Sequence, residues 1–220
     1  ETFVNRELLQ PLGMVRSGYA DLSATSNTAK SYDADGRPAP IYRYASNAAT
    51  GFTTSASDMV RLVLAELGTV EGSPLTQKTL ESMRTAEATS MGADIWGLGT
   101  VLYAPTKQGG VIFGHDGANE PAISATVRIN PNTQDAIIVL ATGSKALASQ
   151  LGAAWVFWQT GVPDILVVPA ELRRVMPVLG LGACGIVLLT FVSGWRTRRR
   201  RTRPTADSRS AADTSGRGSS

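Results

Sequence analysis

The seven residues Gly114–Glu120 carry the side chains best suited to chemistry in this sequence. They read Gly-His-Asp-Gly-Ala-Asn-Glu and include His115, the only histidine of the 220 residues. An imidazole changes charge between pH 5 and 8, so it serves as a general acid, a general base or a hydrogen-bond partner. A single histidine in a polar turn is more often structural or merely exposed, so it does not establish a site alone. Asp116 and Glu120 have no partner at a defined spacing, and we interpret them as solvated turn residues.

The strands predicted around this stretch form an antiparallel meander. Ile95–Tyr103 and Gly110–Phe113 precede it and Ala122–Asn130 follows it, which places the stretch between two strands. Ala136–Ala141 is apolar on both faces, as is typical of a central strand. Residues alternate along Ala122–Asn130, with Ile123, Ala125, Val127 and Ile129 on an apolar face and Ser124, Thr126 and Arg128 on a polar one.

Helical patterns flank the predicted strands. Residues 1–10 read as the end of a helix, Ser55 and Asp58 fit a capping box, and Ser73-Pro74 is typical of a helix start. The segment 15–49 has little periodicity and predicts a long irregular connection. Lys145–Gln159 is predicted to be a helix that packs on the sheet, since core packing is commoner than a tryptophan ligand platform. Its apolar stripe is Leu147, Leu151, Trp155 and Trp158.

The segment Val175–Trp195 predicts one transmembrane helix. Its 21 residues carry no charge, and at about 1.5 Å per residue they span roughly 31 Å, close to the thickness of the bilayer's hydrocarbon core. Six arginines follow this segment within residues 196–203, whereas only Arg173 and Arg174 precede it. The positive-inside rule therefore predicts a cytoplasmic tail and an external domain. The composition after Thr202 predicts disorder.

The distribution of charge argues against a nucleic-acid partner. Residues 1–170 contain four Lys and seven Arg against fifteen Asp and Glu, which gives 11 − 15 = −4, although the whole chain is +3. The basic excess therefore lies beside the predicted span, where it orients the helix and attracts anionic lipid. The only cysteine, Cys184, lies inside that span and excludes both an intrachain disulfide and a thiolate metal site.

Four short segments resemble, in order, the serine β-lactamase-like hydrolases, which include class C β-lactamases, D-alanyl-D-alanine carboxypeptidases, D-aminopeptidases and esterases. Residues 8–14, which contain Pro-Leu-Gly-Met, resemble the family's "PLGM" segment, and residues 48–59 resemble its "AAGGLYSTAEDM" element. Residues 96–99 (Trp-Gly-Leu-Gly) resemble the "YGLGW" strand, and residues 114–119 resemble the third motif, Lys-Thr-Gly or His-x-Gly. The resemblance implies an α/β, β-lactamase/transpeptidase-like fold, in which an antiparallel sheet packs with a C-terminal helix and a helical subdomain.

The resemblance also implies a mechanism whose nucleophile this sequence does not contain. In these enzymes the serine of Ser-x-x-Lys is acylated, while the lysine and the tyrosine of Tyr-x-Asn move the proton. Both motifs precede "PLGM" in the family, so we expect them before Glu1, in a longer protein of which this is the C-terminal part. No Ser-x-x-Lys is present, since Asn27, Leu75, Ala104 and Thr142 stand three residues before the four lysines. Tyr44-Ala45-Ser46-Asn47 has the wrong spacing and order for Tyr-x-Asn.

What the resemblance assigns to this chain is the opposite wall of the site. His115 takes the basic position of the third motif and hydrogen-bonds towards the catalytic hydroxyls and the substrate. Gly117 leaves room for the substrate backbone, and the amide of Ala118 supplies an oxyanion donor. Pro121 stands where the family often has glycine, so the rim of the cleft is expected to differ. No metal or organic cofactor is implied.

We therefore predict the C-terminal part of a membrane-anchored, outward-facing serine hydrolase that acts on a peptide, amide or ester. The predicted organisation is a hydrolase-like domain over 1–160, a linker over 161–172, a membrane helix over 173–196 and a basic tail over 197–220. This chain alone is expected to be inactive. Two alternatives remain open: a non-catalytic cell-envelope binding or sensor protein with the same fold, and a single-pass protein whose external segment joins partners. Substrate and oligomeric state are not determined by the sequence.

Overall fold

The computed structural model describes residues 1–19, 27–42, 44–90 and 92–201. These residues belong to two compact units, of which the first is Glu1–Pro169 and the second begins at Ala170. Within the described ranges, the first unit contains six strands and five α-helices, and the second contains all but the first two residues of the long helix α6 (Val168–Arg201). The predicted disordered tail from Thr202 onward lies outside the described residues.

The first unit is built on one antiparallel sheet whose six strands lie in chain order. This arrangement confirms the predicted meander. The strands are β1 (Ala88–Ser90), β2 (Ala93–Trp96), β3 (Val101–Pro105), β4 (Val111–Asn119), β5 (Ile123–Asn130) and β6 (Asp135–Thr142). Its helices are α1 (Thr2–Val4), α2 (Asn47–Thr50), α3 (Ala56–Glu66), α4 (Gln77–Arg84) and α5 (Leu147–Thr160), and a π-helical turn, Asn5–Leu9, continues α1.

Three details of the predicted strands were wrong. The single strand expected over Ile95–Tyr103 is two strands, β2 and β3, because the chain reverses at Gly99, whose φ of 72° favours glycine. Residues 114–119, which the strand pattern placed between two strands and the family's third motif places on a strand, lie within β4, which pairs with β5 as far as Asn119↔Ile123. Strand β6 was predicted to be central, but among the described residues it pairs only with β5.

One face of the sheet packs on α3. Val63 of this helix belongs to one buried cluster with Leu102, Phe113 and Ile129, which lie on three successive strands. Ser55 caps the helix by accepting a hydrogen bond from the Asp58 amide at 3.2 Å, so the predicted N-cap is confirmed. For the next helix the prediction was wrong, since α4 is capped by Thr76 and not by Ser73.

The Asp58 carboxylate does not complete the predicted capping box. It is buried and accepts hydrogen bonds from the Arg16 amide at 2.7 Å and from the Ser17 hydroxyl at 2.8 Å. Nearby, Leu12 and Met14 pack with Ala65 of α3. The Pro-Leu-Gly-Met segment is therefore held against α3 by both apolar contacts and a buried carboxylate.

The other face of the sheet packs on α5, and the predicted stripe of this helix was right only for Trp155, which packs against the buried cluster that includes Tyr103 and Val156. Leu147, Leu151 and Trp158 are 41, 45 and 76% exposed. The buried residues are instead small or β-branched: Ala148, Gly152, Val156 and Thr160. The reason lies in β5, whose polar residues Ser124, Thr126 and Arg128 form the face beneath the helix.

Gly152 allows α5 to approach the sheet over Arg128. A Cβ atom at residue 152 would lie 2.5 Å from Arg128 Nε and 2.8 Å from Cζ. The Arg128 side chain is fully buried and forms ion pairs with Asp116 and Asp164, so it has no free space into which to move. The glycine in the middle of this helix is therefore required by the arginine below it.

The second unit contains one helix that is long and apolar enough to cross a membrane. The stretch Val175–Arg196 within α6 has 22 residues and a mean hydropathy of 2.3, and none of its apolar window is buried. Pro177 is accommodated inside the helix.

We predict that Gly152→Ala lowers the thermal stability of the full-length protein, although alanine favours helices by about 1 kcal/mol over glycine. The added methyl group must displace Arg128, and overpacking a core typically costs about 1–3 kcal/mol. The measurement is the unfolding temperature in detergent, with Gln150→Ala on the exposed face of α5 as the matched control. An unfolding temperature for Gly152→Ala at or above that of the parent would contradict the close approach.

Candidate active site

The second half of β4 pairs with a strand on one side only. The pairing of β3 with β4 runs from Pro105↔Val111 to Val101↔Gly114 and ends there, whereas β5 pairs with β4 as far as Asn119. Among the described residues, the β3-side edge of residues 115–119 therefore has no strand partner. A free edge offers backbone N–H and C=O groups that can bind an extended peptide or amide.

His115 and Gly117 lie on the same face of this free segment, because alternate residues of a strand share a face. The His115 side chain is exposed, and its Nδ1 lies 2.6 Å from the carbonyl oxygen of Asp116. A carbonyl can only accept, so Nδ1 carries the hydrogen in the neutral ring and Nε2 is left as an acceptor. The Trp96 ring lies beside the imidazole, with 5.6 Å between ring centroids.

Glycine occupies residues 114 and 117 of the motif for different physical reasons. A Cβ atom at Gly114 would lie 1.9 Å from the Val127 carbonyl oxygen, so packing against β5 requires a glycine there. At Gly117 no heavy atom lies within 4 Å of the Cβ position, and the residue is exposed. The chain itself would accommodate a side chain at residue 117, so the glycine leaves open space at the surface next to His115.

Ala118 follows on the same strand, exposed and opposite Ser124 of β5. The structure thus brings His115, Gly117 and Ala118 together on one free edge. The oxyanion role of the Ala118 amide stays a prediction, as does the effect of Pro121, which is buried beyond the end of β4.

Asp116 is not the solvated turn residue that the sequence suggested. Its carboxylate lies on the α5 side of the sheet, where its side chain is 16% exposed. It accepts hydrogen bonds from Tyr103 Oη at 3.0 Å, from Arg128 Nη2 at 2.9 Å and from Thr126 Oγ1. Burial raises the pKa of this carboxyl, but the hydrogen bond from Thr126 and the charge of Arg128 outweigh burial and lower it overall.

The Arg128 guanidinium joins Asp116 to Asp164, which follows α5. Nη1 pairs with the Asp164 carboxylate, and Cζ lies 4.0 Å from the centroid of the Tyr103 ring. Burial raises the pKa of Asp164, and Arg128 offsets only part of this effect. Burial and then the Asp116 charge raise the pKa of Tyr103, which keeps the phenol a hydrogen-bond donor. We call Arg128, Asp116, Asp164, Tyr103 and Thr126 the arginine cluster.

At the far end of β4, Tyr44 donates a hydrogen bond to the Glu120 carbonyl, and the Glu120 carboxylate pairs with Lys145. Burial, followed by the Glu120 charge, raises the pKa of Tyr44. The tyrosine is therefore a protonated donor that holds the end of the strand, and Glu120 is ion-paired at the surface.

The arginine cluster was missed because its members are far apart in sequence. Two signals were available. Arg128 stands on the polar face of a strand, opposite a predicted helix, and that helix carries Gly152 at its centre, which indicates close approach to another group.

Among residues 1–19, 27–42, 44–90 and 92–201, no group of three His, Cys, Asp or Glu side chains is placed to hold a metal ion.

Comparisons with known proteins bear on the fold. Three solved structures share the fold: an octameric penicillin-binding protein homologue from Pyrococcus abyssi (20% identity, TM-score 0.60), a class C β-lactamase (20%, 0.57) and a β-lactamase/D-alanine carboxypeptidase from Pseudomonas syringae (17%, 0.59). They match 72, 69 and 73% of this chain, which in turn covers only 37, 48 and 53% of theirs. No curated protein matches the chain.

A family model places the chain more firmly than these distant structures. The model described as Beta-lactamase matches residues 1–158, which include the Pro-Leu-Gly-Met segment, the free edge of β4 and nearly all of α5. Since the match spans well over half of the 220 residues, the chain belongs to the Beta-lactamase family.

Proposed function

We propose that the full-length protein is a membrane-anchored serine hydrolase that transfers the acyl group of a peptide, amide or ester to water. The observation that carries this proposal is the free edge of β4, where His115 lies beside the open space at Gly117. A substrate carbonyl lying along this edge would receive hydrogen bonds from the strand backbone. Family membership supplies the reaction class.

In the proposed reaction, the nucleophilic serine and the residues of this chain have separate roles. A serine oxygen bonds to the substrate carbonyl carbon, the alcohol or amine leaves with a proton, and water then cleaves the acyl-serine. The lysine of Ser-x-x-Lys is absent from residues 1–220, so this chain contributes the opposite wall. There His115 Nε2 accepts a hydrogen bond from a hydroxyl or from a donor on the substrate.

A histidine in place of lysine at this position favours uncharged substrates. A lysine would place a permanent positive charge beside the substrate carboxylate, whereas His115 presents the lone pair of Nε2 when its Nδ1–H is held by Asp116. The carboxylate of a β-lactam would face this lone pair instead of a positive charge. We therefore propose esters and uncharged amide ends as the preferred substrates.

The apolar helix supports attachment to a membrane. Val175–Arg196 is long and apolar enough to span a bilayer, and most of the neighbouring arginines follow it. By the positive-inside rule the catalytic unit is then external and the C-terminus cytoplasmic.

We expect His115→Ala to slow acylation of the full-length protein by about 100-fold, the usual effect of removing one positioned polar group. The measurement is single-turnover acylation with an ester and with a β-lactam, accompanied by circular dichroism to confirm folding. The parent should acylate faster with the ester. Equal rates for parent and variant would assign His115 a structural role, and faster acylation by the β-lactam would contradict the substrate preference.

Gly117→Val tests the open space separately from the histidine. Because no atom lies within 4 Å of the Cβ position, the unfolding temperature should stay within about 1 °C of the parent, while KM for an ester rises at least about tenfold. The matched control is Gly114→Ala, whose methyl group meets the Val127 carbonyl and should lower the unfolding temperature. If Gly117→Val leaves both quantities unchanged, the substrate does not lie along this edge.

Failure of the serine hydrolase proposal itself would appear as no labelling of the full-length protein by a fluorophosphonate, the result expected of a non-catalytic binding protein.

Protease treatment of intact cells tests the proposed topology. We expect an added protease to remove the catalytic unit and to leave a small protected fragment that contains residues 196–220. The protected fragment is detected with an epitope tag placed after Ser220. Protection of the catalytic unit would reverse the orientation, and its release without protease or detergent would contradict membrane anchoring.

A further inference from the structure

We propose that Arg128, Tyr103 and Thr126 are positioning residues that hold His115 in its reactive orientation by acting through Asp116. The inference rests on the proposed function only in assuming that His115 contacts the substrate. None of the three touches the imidazole in the described contacts. Each donates a hydrogen bond to the carboxylate of Asp116, the residue that follows His115.

Asp116 links the other members of the arginine cluster to the His115 imidazole, because its side-chain carboxylate contacts the cluster and its backbone carbonyl contacts the ring. Its carboxylate is fixed on the α5 side of the sheet by donors from β3 and β5, while its carbonyl oxygen accepts the His115 Nδ1–H at 2.6 Å. Rotation of the Asp116 peptide would therefore break either the contacts of the carboxylate or the contact with the ring. Fixing the carboxylate fixes the tautomer of His115 and directs Nε2 as the acceptor.

The free edge explains why this anchorage is needed. Beyond Gly114 the strand has lost its β3 partner, so backbone pairing holds it from the β5 side alone. A substrate needs that edge open, which means that a further strand cannot stabilise it. The Asp116 side chain, bound from below the sheet, restrains the strand without occupying the edge.

The Arg128 guanidinium is rigid enough to serve as the reference for this anchorage. Asp116 and Asp164 hold it by ion pairs, the Tyr103 ring covers it at 4.0 Å, and the backbone of Gly152 leaves no space for it to move. Burying these charges is costly, and apolar residues of similar volume often serve stability as well or better. A role in orienting the neighbour of His115 gives the cluster a reason beyond stability.

Two nearly isosteric variants of the full-length protein test the proposal. Tyr103→Phe and Thr126→Val each remove one donor to the Asp116 carboxylate and keep both carboxylate partners of Arg128. Thr126→Val also removes the oxygen that accepts a hydrogen bond from Arg128 Nε at 3.2 Å, so Tyr103→Phe is the cleaner of the two. We expect kcat for an ester to fall about fivefold with each variant, with little change in KM. In a His115→Ala background the same substitutions should have no further effect on kcat, because the group that they position is gone.

The matched control is Thr160→Val, which removes a buried hydroxyl that bonds the Val156 and Val162 carbonyls and does not touch Asp116. It should lower the unfolding temperature to a similar extent and leave kcat unchanged. A second readout does not depend on activity: the 15N resonances of the His115 ring, assigned with His115→Gln, report which nitrogen carries the proton. The parent should show the Nδ1–H form, and Tyr103→Phe and Thr126→Val should show a mixture.

The outcomes separate the inference from the proposed function. If a fluorophosphonate does not label the full-length protein, the proposed function fails, and the ring resonances alone decide the positioning. If Tyr103→Phe and Thr126→Val behave like Thr160→Val in both kcat and ring resonances, the arginine cluster is only structural and the inference is overturned. An equal loss of kcat in the His115→Ala background would also overturn it, since the effect would not pass through the imidazole.

Discussion

The buried ion pairs of Arg128 are the interaction on which most of this structure depends. One guanidinium, from the middle of β5, binds a carboxylate on β4 and another beyond the end of α5. Desolvating three charges is costly, so the geometry around them must be well satisfied. That requirement places a glycine in α5, polar residues on the covered face of β5, and Asp164 close against the sheet. The strand that carries His115 is held as part of the same network.

The free edge of β4 combines two requirements that conflict in an ordinary sheet. A strand is held in place by pairing on both sides, but a strand that binds substrate must leave one side open. Here β3 begins at Val101, opposite Gly114, and the carboxylate of Asp116 provides the restraint that a longer β3 would have given. The edge in the plane of the sheet thus stays open, while the strand is held from the face towards α5. The exposed His115 and the hydrogen-bonded Asp116 are adjacent for this reason.

Much of this organisation could be predicted from short-range patterns. The order of the strands, the cap at Ser55, the apolar helix after Val175 and the motif containing His115 each depend on residues close together in the chain. Some predictions were wrong for local reasons, such as the reversal at Gly99 and the cap at Thr76, but the wrong predictions about burial depended on distant residues. The alternation along β5 gave two faces correctly, but it could not show that the polar face is the covered one, because that depends on Asp116 and Asp164 as partners for Arg128.

The pattern of apolar residues along α5 likewise could not show which side of the helix is buried. Leucine and tryptophan are the more apolar side of this helix, yet the side that packs is the one with Ala148 and Gly152, since a large arginine already fills the space beneath it. The sequence by itself determined the family, the order of the elements, the apolar helix and the position of the only histidine. The tertiary structure alone decided which faces are buried and which way His115 points. Charge pairing between residues twelve and thirty-six positions apart leaves no periodic trace in the sequence.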